Sequence, residues 1–292
     1  MNPLLVQNLA TMAASLLVAA LVAWAAGTGG GAAAGVPAVL LCAAVAFVVQ
    51  WIAFIPAYRY QTEHYYDLVG SLTHITTVLI ALWLSTTLDS RSWVLALLIW
   101  LWAGRLGTFL FHRVRQAGSD RRFSTVMPVF TRFLTYWTTQ GLWVFLTQVA
   151  ALTAITNTAR APLGWVEYAG IVLWALGFCI EVTADRQKRT FRRNPDNAQR
   201  FITTGLWSWC QHPNYFGEIM LWAGIALIAA PVLAGWQWVA MVSPLFVFLL
   251  LTRVSGIPML QASARERWGA DPEYRAYVQR TPLLLPKPTR PA

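Results

Sequence analysis

The sequence predicts an all-α protein: a polytopic bundle of transmembrane helices with no Rossmann domain. Three observations lead there. Apolar runs of about 18–25 residues, the length that crosses roughly 30 Å of hydrocarbon, recur from one end of the chain to the other. Hydrophobic residues make up 57% of the chain and charged residues only 12%, about half of what a soluble domain carries. Lys and Arg fall in alternate connections between the runs, as the positive-inside rule requires of a chain that crosses repeatedly.

The runs place eight spans, at 4–26, 37–55, 68–87, 93–112, 132–156, 164–184, 216–234 and 237–256. The first has no basic segment ahead of it, so it reads as a retained helix and not as a cleaved signal peptide. After it, Gly27 to Gly35 reads GTGGGAAAG. That stretch has the letters of a dinucleotide fingerprint but follows an apolar helix where the motif needs a strand, and it reads as a flexible linker.

The connection 113–131 holds Arg113, Arg115, Arg121 and Arg122. The connection 185–215 holds Arg186, Lys188, Arg189, Arg192, Arg193 and Arg200. The tail beyond Arg253 adds Arg265, Arg267, Arg275, Arg280, Lys287 and Arg290, whereas Arg91 and Arg160 are the basic residues of the intervening connections. Eight spans with both termini cytoplasmic put nearly all of this charge inside, as for a bacterial inner-membrane protein. One internal span more or fewer would invert the pattern downstream. The expected organisation is an N-terminal helix and linker over 1–36, a transmembrane core over 37–258 and a cytoplasmic tail over 259–292. The net charge of +10 then reflects topology, and no nucleic-acid partner is expected. Cys42, Cys179 and Cys210 have no metal-ligand spacing, and no metal site is expected.

With only 12 acidic residues, their placement is informative, because charge near a bilayer core is expensive and usually functional. Glu63 and Asp67 precede the third span, Glu181 and Asp185 end the sixth, and Glu218 opens the seventh. Arg105 lies inside the fourth. In the eight-span topology all of these lie toward the cytoplasmic side.

Glu181, Asp185, Lys188, Arg189 and Arg192 follow i, i+4, i+7, i+8 and i+11, which is one face of a continuing helix. Such a face is either a solvated helix end with internal ion pairs or a surface presented to an anionic ligand, since Arg forks suit phosphates. A second cluster is GLWSWCQHPNYFGEIMLWAG at 205–224, where Pro213 opens a helix and His212, Asn214, Tyr215 and Glu218 gather at its start. In the tail, Trp268, Tyr274, Arg275 and Tyr277 suit either a nucleotide cap or an interfacial helix.

These residues carry a resemblance. FRRNPDNAQRFITTGLWSWCQHPNYFGEIMLWAG and the ending DPEYRAYVQRTPLLLPKP resemble the C-terminal half of the steroid 5α-reductase-like membrane reductases, their bacterial branch above all. Upstream, YYDLVGSLTHI and WAGRLGTFLFHR resemble the same branch less specifically. HPNYFGE is shared more widely, with sterol reductases and, loosely, with isoprenylcysteine carboxyl methyltransferases.

The resemblance implies a seven-helix core plus one extra N-terminal helix, a monomer that binds NADPH from the cytoplasmic side and takes a hydrophobic, steroid-like substrate from the bilayer. It carries cofactor contacts onto Asp185, Arg189, Arg192, Asn214 and Glu218. Glu181 falls where members often have a polar residue, and Asn194, His212 and Tyr215 lie within the matched stretches. Arg267, Tyr274 and Tyr277 are tail candidates. The animal enzymes use an adjacent Gln-Glu pair and a Tyr on the next helix. Here Gln61 and Glu63 are split by Thr62, and the fourth span offers Gly104 and Arg105 but no Tyr.

The implied reaction reduces a C=C bond conjugated to a ketone, with a hydrogen-bond donor stabilising charge on the ketone oxygen. Glu63, Asp67, Tyr65, Tyr66 or Arg105 is the expected donor. A carboxylic acid donates only when protonated, a form that desolvation favours. The alternative is an S-adenosylmethionine-dependent membrane methyltransferase, which would have no use for the basic face at 185–192.

Overall fold

The computed structural model describes residues 3–117 and 123–287. Arg121, Arg122 and Arg290, counted above among the basic loops, lie outside the described residues. The chain is helical as expected: α1 (Pro3–Ala26), α2 (Ala38–Arg59), α3 (Tyr66–Leu84), α4 (Ser90–Ala117), α5 (Phe130–Thr156), α6 (Trp165–Arg193), α7 (Pro213–Ala229), α8 (Val242–Leu249), α9 (Ile257–Trp268) and α10 (Pro272–Arg280). Its one described sheet is a hairpin of two short strands, β1 (Ala32–Ala33) and β2 (Val36–Pro37).

Among the described residues, seven helical segments are long and apolar enough to cross a membrane. The protein is therefore a multi-pass integral membrane protein. All eight expected spans are helical, but α5, expected as the span 132–156, is not among the seven. It carries Thr131, Thr135, Thr138, Thr139, Gln140, Thr147, Gln148, Thr153 and Thr156, which lower its hydropathy. Protein and not lipid surrounds its second half, since every residue from Val144 to Thr156 is buried. Hydroxyls in such a helix are tolerated when they bond internally. Thr135, Thr138, Thr153 and Thr156 each donate to the carbonyl four residues back, at 2.7–2.9 Å.

Two compact units divide the chain: Met1–Glu167 with Ala226–Ser243, and Tyr168–Ile225 with Pro244–Ala292. In the first unit α5 packs against α1, α2 and α3. Close approaches need small residues there. A Cβ on Gly141 would come within 2.8 Å of the Phe47 ring, and one on Gly107 within 2.7 Å of Ser71. The expected flexible linker after α1 is instead an ordered turn. Gly31 N–H donates to Thr156 O at 2.7 Å, Gly29 and Gly35 adopt positive φ, and β1 pairs with β2. The glycines serve tight backbone geometry that a Cβ would strain.

At the same end of this unit a buried polar knot forms. Arg91, fully buried, donates to the Glu167 carboxylate, to Ile228 O (3.1 Å) and to Ala161 O (3.2 Å). Arg160 donates to Thr87 Oγ1 (3.1 Å) and Ser85 Oγ (3.1 Å), and Asn157 donates to Gln237 Oε1 (2.9 Å). These are Arg91 and Arg160 of the sparsely charged connections, used here to tie helix ends together.

In the second unit α6 and α7 touch backbone to backbone. A Cβ on Gly177 would lie 2.6 Å from Gly217 O, and one on Gly224 would lie 2.6 Å from Gly170 O. Small residues at such positions are how apolar helices associate closely. After α8 a single π-helical turn, Leu250–Val254, and Gly256 redirect the chain into α9 and α10.

Candidate ligand site

The second unit holds the candidate site. Helix α6 continues unbroken to Arg193, so Glu181, Asp185, Lys188 and Arg192 do form one stripe along it. At its deeper end Glu181 is buried, and a Cβ on Gly217 would lie 2.7 Å from Glu181 N. The start of α7, with Asn214, Tyr215 and Glu218, is therefore pressed against α6 near Glu181. Asp185 is also buried.

At the far end of the stripe is a cavity of about 140 Å³. Its walls come from the end of α6, the segment 200–212, and the tail helices α9 and α10. Lys188, Arg192, Arg200 and Arg267 line it, together with Phe201, Trp207, Trp268, Tyr274 and Tyr277, and no carboxylate lines it among the described residues.

Local folding fixes these walls. Gly205 at φ +63° lets the chain turn, and Gln187 Oε1 accepts from Leu206 N–H at 3.0 Å. Trp207 Nε1 donates to Ala184 O at 3.1 Å, and Lys188 Nζ sits 4.6 Å from the centre of the Trp207 ring. The tail is clasped on by Tyr277 Oη donating to Trp207 O (2.7 Å), Trp268 Nε1 to Gln199 O (2.7 Å), and Gln211 Nε2 to Thr281 O (2.7 Å) and Val278 O (3.2 Å). Phe201 lies against Trp268, Tyr274 and Tyr277, with ring centres 5.1–5.8 Å apart.

Burial shapes the titration here. His212 lines the cavity at 8% exposure and stacks on Tyr215 at 5.6 Å between ring centres. Its Nδ1 has no hydrogen-bond partner among the described residues. Desolvation, and then the Lys188 charge, lower its pKa to about 4. Burial pushes the Cys210 thiol up to about 11 and the Tyr277 phenol above its usual value.

Of the residues singled out from sequence, Arg192, His212, Arg267, Tyr274 and Tyr277 line this cavity. Glu181, Asp185, Asn214, Tyr215 and Glu218 gather along α6 and the start of α7, outside its lining. Arg189 is exposed on α6. The Asn194 side chain accepts from Asp196 N–H at 3.0 Å and caps a short turn. Lys188 of the basic face and Trp268 of the tail line it too, and Arg200, Phe201 and Trp207 belong to the lining without being site candidates in the sequence. The signal available for them was the density of basic and aromatic residues on both sides of the HPNY motif.

The proposed catalytic set lies in the first unit. Glu63 is buried in the turn between α2 and α3, and its carbonyl accepts from Tyr66 N–H at 2.9 Å. Gln61 is exposed at φ +49° and donates to Tyr58 O at 2.7 Å. Tyr66 Oη donates to Tyr136 O (2.9 Å) and Tyr65 Oη to Ala53 O (3.4 Å), and both rings pack near Trp137. Arg105 on α4 sits over the Phe109 ring at 5.3 Å, and Asp67 pairs with Arg113 at 3.7 Å.

Comparison with known proteins fixes the family. The model of DUF1295, described as a protein of unknown function, matches residues 53–281. This chain belongs to the DUF1295 family. DUF1295 is the steroid 5α-reductase-like family. This member is similar to steroid 5-alpha-reductase DET2 of Gossypium hirsutum, 30% identical over 99 residues, covering 34% of each chain. It is similar to 3-oxo-5-alpha-steroid 4-dehydrogenase 1 of Rattus norvegicus, 28% identical over 127 residues, covering 42% of this chain and 43% of the relative. A probable O-methyltransferase, ustE of Ustilaginoidea virens, is 28% identical over 96 residues, covering 31% of this chain and 34% of the relative. The DUF1295 chain thus spans less than half the length of each of these relatives. No solved structure matches it.

Proposed function

We propose that this protein is an NADPH-dependent reductase of a C=C bond conjugated to a ketone, acting on a lipid-like substrate of the 3-oxo-Δ4 steroid kind. The observation that carries the proposal is the cavity of the second unit. Among the described residues its lining offers four cations, several aromatic rings and no carboxylate. Arg forks pair with phosphate oxygens in bidentate fashion, and aromatic faces stack on bases, so this donor set fits a phosphorylated dinucleotide. Relatives named as steroid reductases supply the reaction class.

NADPH, when bound, supplies hydride to the β-carbon of the enone. The chain's part is to hold the cofactor and to stabilise the charge that builds on the ketone oxygen. Arg192 on α6 and Arg267 on α9 hold phosphate, with Arg189 about one helical turn before Arg192. Tyr274, Tyr277 and His212 wall the cavity, and Asn194 caps the turn that follows α6. Glu181, Asp185, Asn214, Tyr215 and Glu218 are the polar contacts for ribose and carboxamide groups.

For the ketone we assign Glu63. It is buried, whereas the Tyr65 and Tyr66 hydroxyls both donate to backbone carbonyls. Arg105 and Gln61 are the remaining candidates. We further read the chain as cytoplasmic at both ends, in a bacterial inner membrane, with residues 1–36 added to the core at 37–258.

The test is purified protein with NADPH and a panel of enones that includes 3-oxo-Δ4 steroids. NADPH oxidation with formation of the saturated ketone is expected, and no turnover across the panel would reject the reaction. The methyltransferase reading has the ustE similarity in its favour. S-adenosylhomocysteine co-purifying with the protein, with no NADPH binding, would establish it instead.

A further inference from the structure

We propose that the first unit is a water-binding site between α2, α3 and α5, where the side-chain carbonyls of Gln50, Gln140 and Gln148 accept hydrogen bonds that the protein itself does not donate. The proposal is independent of the reductase reading.

The three helices pack on one another and bring their amides to one seam. Thr73 and Thr77 lie one turn apart on α3. Gln50 Nε2 of α2 donates to Thr73 Oγ1 at 2.8 Å, and Gln148 Nε2 of α5 donates to Thr77 Oγ1. Gln140, about two turns earlier on α5, donates from Nε2 to Tyr66 O at 3.0 Å, through space that Gly70 leaves open. Gln140 and Gln148 share a face of α5, so the seam runs about 12 Å along that helix.

The chemistry of the partners fixes which way each amide points. A glutamine amide turns end for end only where the group it meets can donate as well as accept. Thr73 donates its hydroxyl proton to Val69 O at 2.6 Å, and Thr77 donates its own to Thr73 O at 2.8 Å. Tyr66 O is a carbonyl. Each partner therefore takes the amide N–H, and each Oε1 faces elsewhere. Among the described residues, none of these three buried oxygens has a hydrogen-bond partner.

Gln237 of the same unit shows how the fold satisfies a buried glutamine by itself. Its Oε1 accepts from Asn157 Nδ2 (2.9 Å) and Ala234 N–H (3.0 Å), while its Nε2 donates to Thr28 O (2.8 Å). The seam lacks such donors. Hydrocarbon has none to give, so the donor has to come from within the bundle. A shielded carbonyl left without one carries its whole desolvation cost. Water fits the need, because its two protons can bridge two carbonyls and buried waters typically meet about three polar groups. Gln50 and Gln148 are 0% exposed and Gln140 is 4% exposed, which favours an occupant of this size over a lipid-like alcohol. The site also has a place in the fold. Gln140 ties down Tyr66, three residues beyond Glu63, so the seam holds the helix whose opening turn carries that acid.

The test is water-edited solid-state NMR on the full-length protein, isotope-labelled at glutamine, in bilayers of deuterated lipid. Magnetisation that starts on water protons should reach the side-chain carbons of Gln50, Gln140 and Gln148 and should not reach those of Gln237, which is as well buried. Gln50→Met, Gln140→Met and Gln148→Met keep length and apolar bulk and each remove one resonance, which assigns it. Backbone assignment of the wild type serves where a variant does not fold. The proposal is overturned if all three glutamines are as dry as Gln237. It is also overturned if the transfer comes from carbon-bound protons of a co-purified alcohol, because the donor would then be a ligand hydroxyl. Stability is the second readout. Each Met variant should raise the unfolding equilibrium constant in detergent by about tenfold, since it loses a bond to water besides the bond to α3. Variants as stable as the wild type, or more so, would reveal carbonyls with no donor to lose and would overturn the proposal.

Discussion

Acidification should destabilise this protein through His212 in a way that one substitution removes. The ring is buried in the cavity wall, and Lys188 faces it from α6, with Arg192 and Arg267 lining the same space. Its folded-state pKa is about 4, against an ordinary 6.5. Because the folded value is depressed, the unfolded chain binds the proton first as pH falls, so the folded state loses stability between pH 6.5 and about 4 and gains none above. The full interval is worth about 3 kcal/mol, and the part between pH 6.5 and 5 about 2 kcal/mol. Urea or thermal unfolding in detergent at pH 7 and pH 5 would measure it, comparing the wild type with His212→Gln. The other three histidines, His64, His74 and His112, are common to both proteins, so their contribution cancels in the difference. The wild type should lose about 2 kcal/mol more than the variant between the two pH values. Equal losses would refute the buried, neutral imidazole.

The knot around Arg91 makes a second prediction. Glu167→Gln leaves the fully buried Arg91 guanidinium with the longer contact to Asp89, at 3.6 Å, as its remaining carboxylate pairing and should cost about 3 kcal/mol in unfolding measurements, while Arg91→Leu with Glu167→Leu recovers much of the loss. Gly217→Leu has no room between α7 and the Glu181 backbone, and should abolish NADPH binding or folding by the same assays, with Gly217→Ala intermediate. Tyr277→Phe removes the bond to Trp207 O and should lower stability by about 1 kcal/mol, with faster proteolysis of the tail. Glu63→Ala should reduce turnover by about 10²–10³-fold with NADPH affinity unchanged, and Glu63→Gln, which retains a donor, should recover part of it.

The membrane helices were legible because hydrocarbon thickness sets one length and the positive-inside rule sets one charge pattern, and both are local properties of the chain. The helical face from Glu181 to Arg192 was legible for the same reason, since a 3.6-residue period needs no knowledge of the rest of the fold. The special standing of α5 was not. Its threonines look like a weak span, and only packing against α1, α2 and α3 shows that the helix is polar because protein covers it. The turn at Gly27–Gly35 was misread similarly. Glycines that permit a tight backbone approach to Thr156 and glycines that permit flexibility have the same letters.

The cavity shows where local reasoning stops. Arg200 and Phe201 are 66 or more residues from Arg267, Trp268, Tyr274 and Tyr277 in the chain, and no period links them. What joins them is a set of backbone acceptors, Gln199 O, Trp207 O, Val278 O and Thr281 O, whose donors come from the opposite segment in every case. Those bonds have a consequence for function. Eight of the 17 residues that line the cavity belong to the tail from Leu260 to Tyr277, so the clasp and the ligand share one surface. Each should then stabilise the other: a ligand that binds only the clasped form raises the stability of the tail by RT ln(1 + [L]/Kd), about 2.7 kcal/mol at a hundredfold excess over Kd. Hydrogen exchange at α9 and α10 should slow by about a hundredfold in saturating NADPH. Exchange that ignores the nucleotide would mean that the tail is no part of its site.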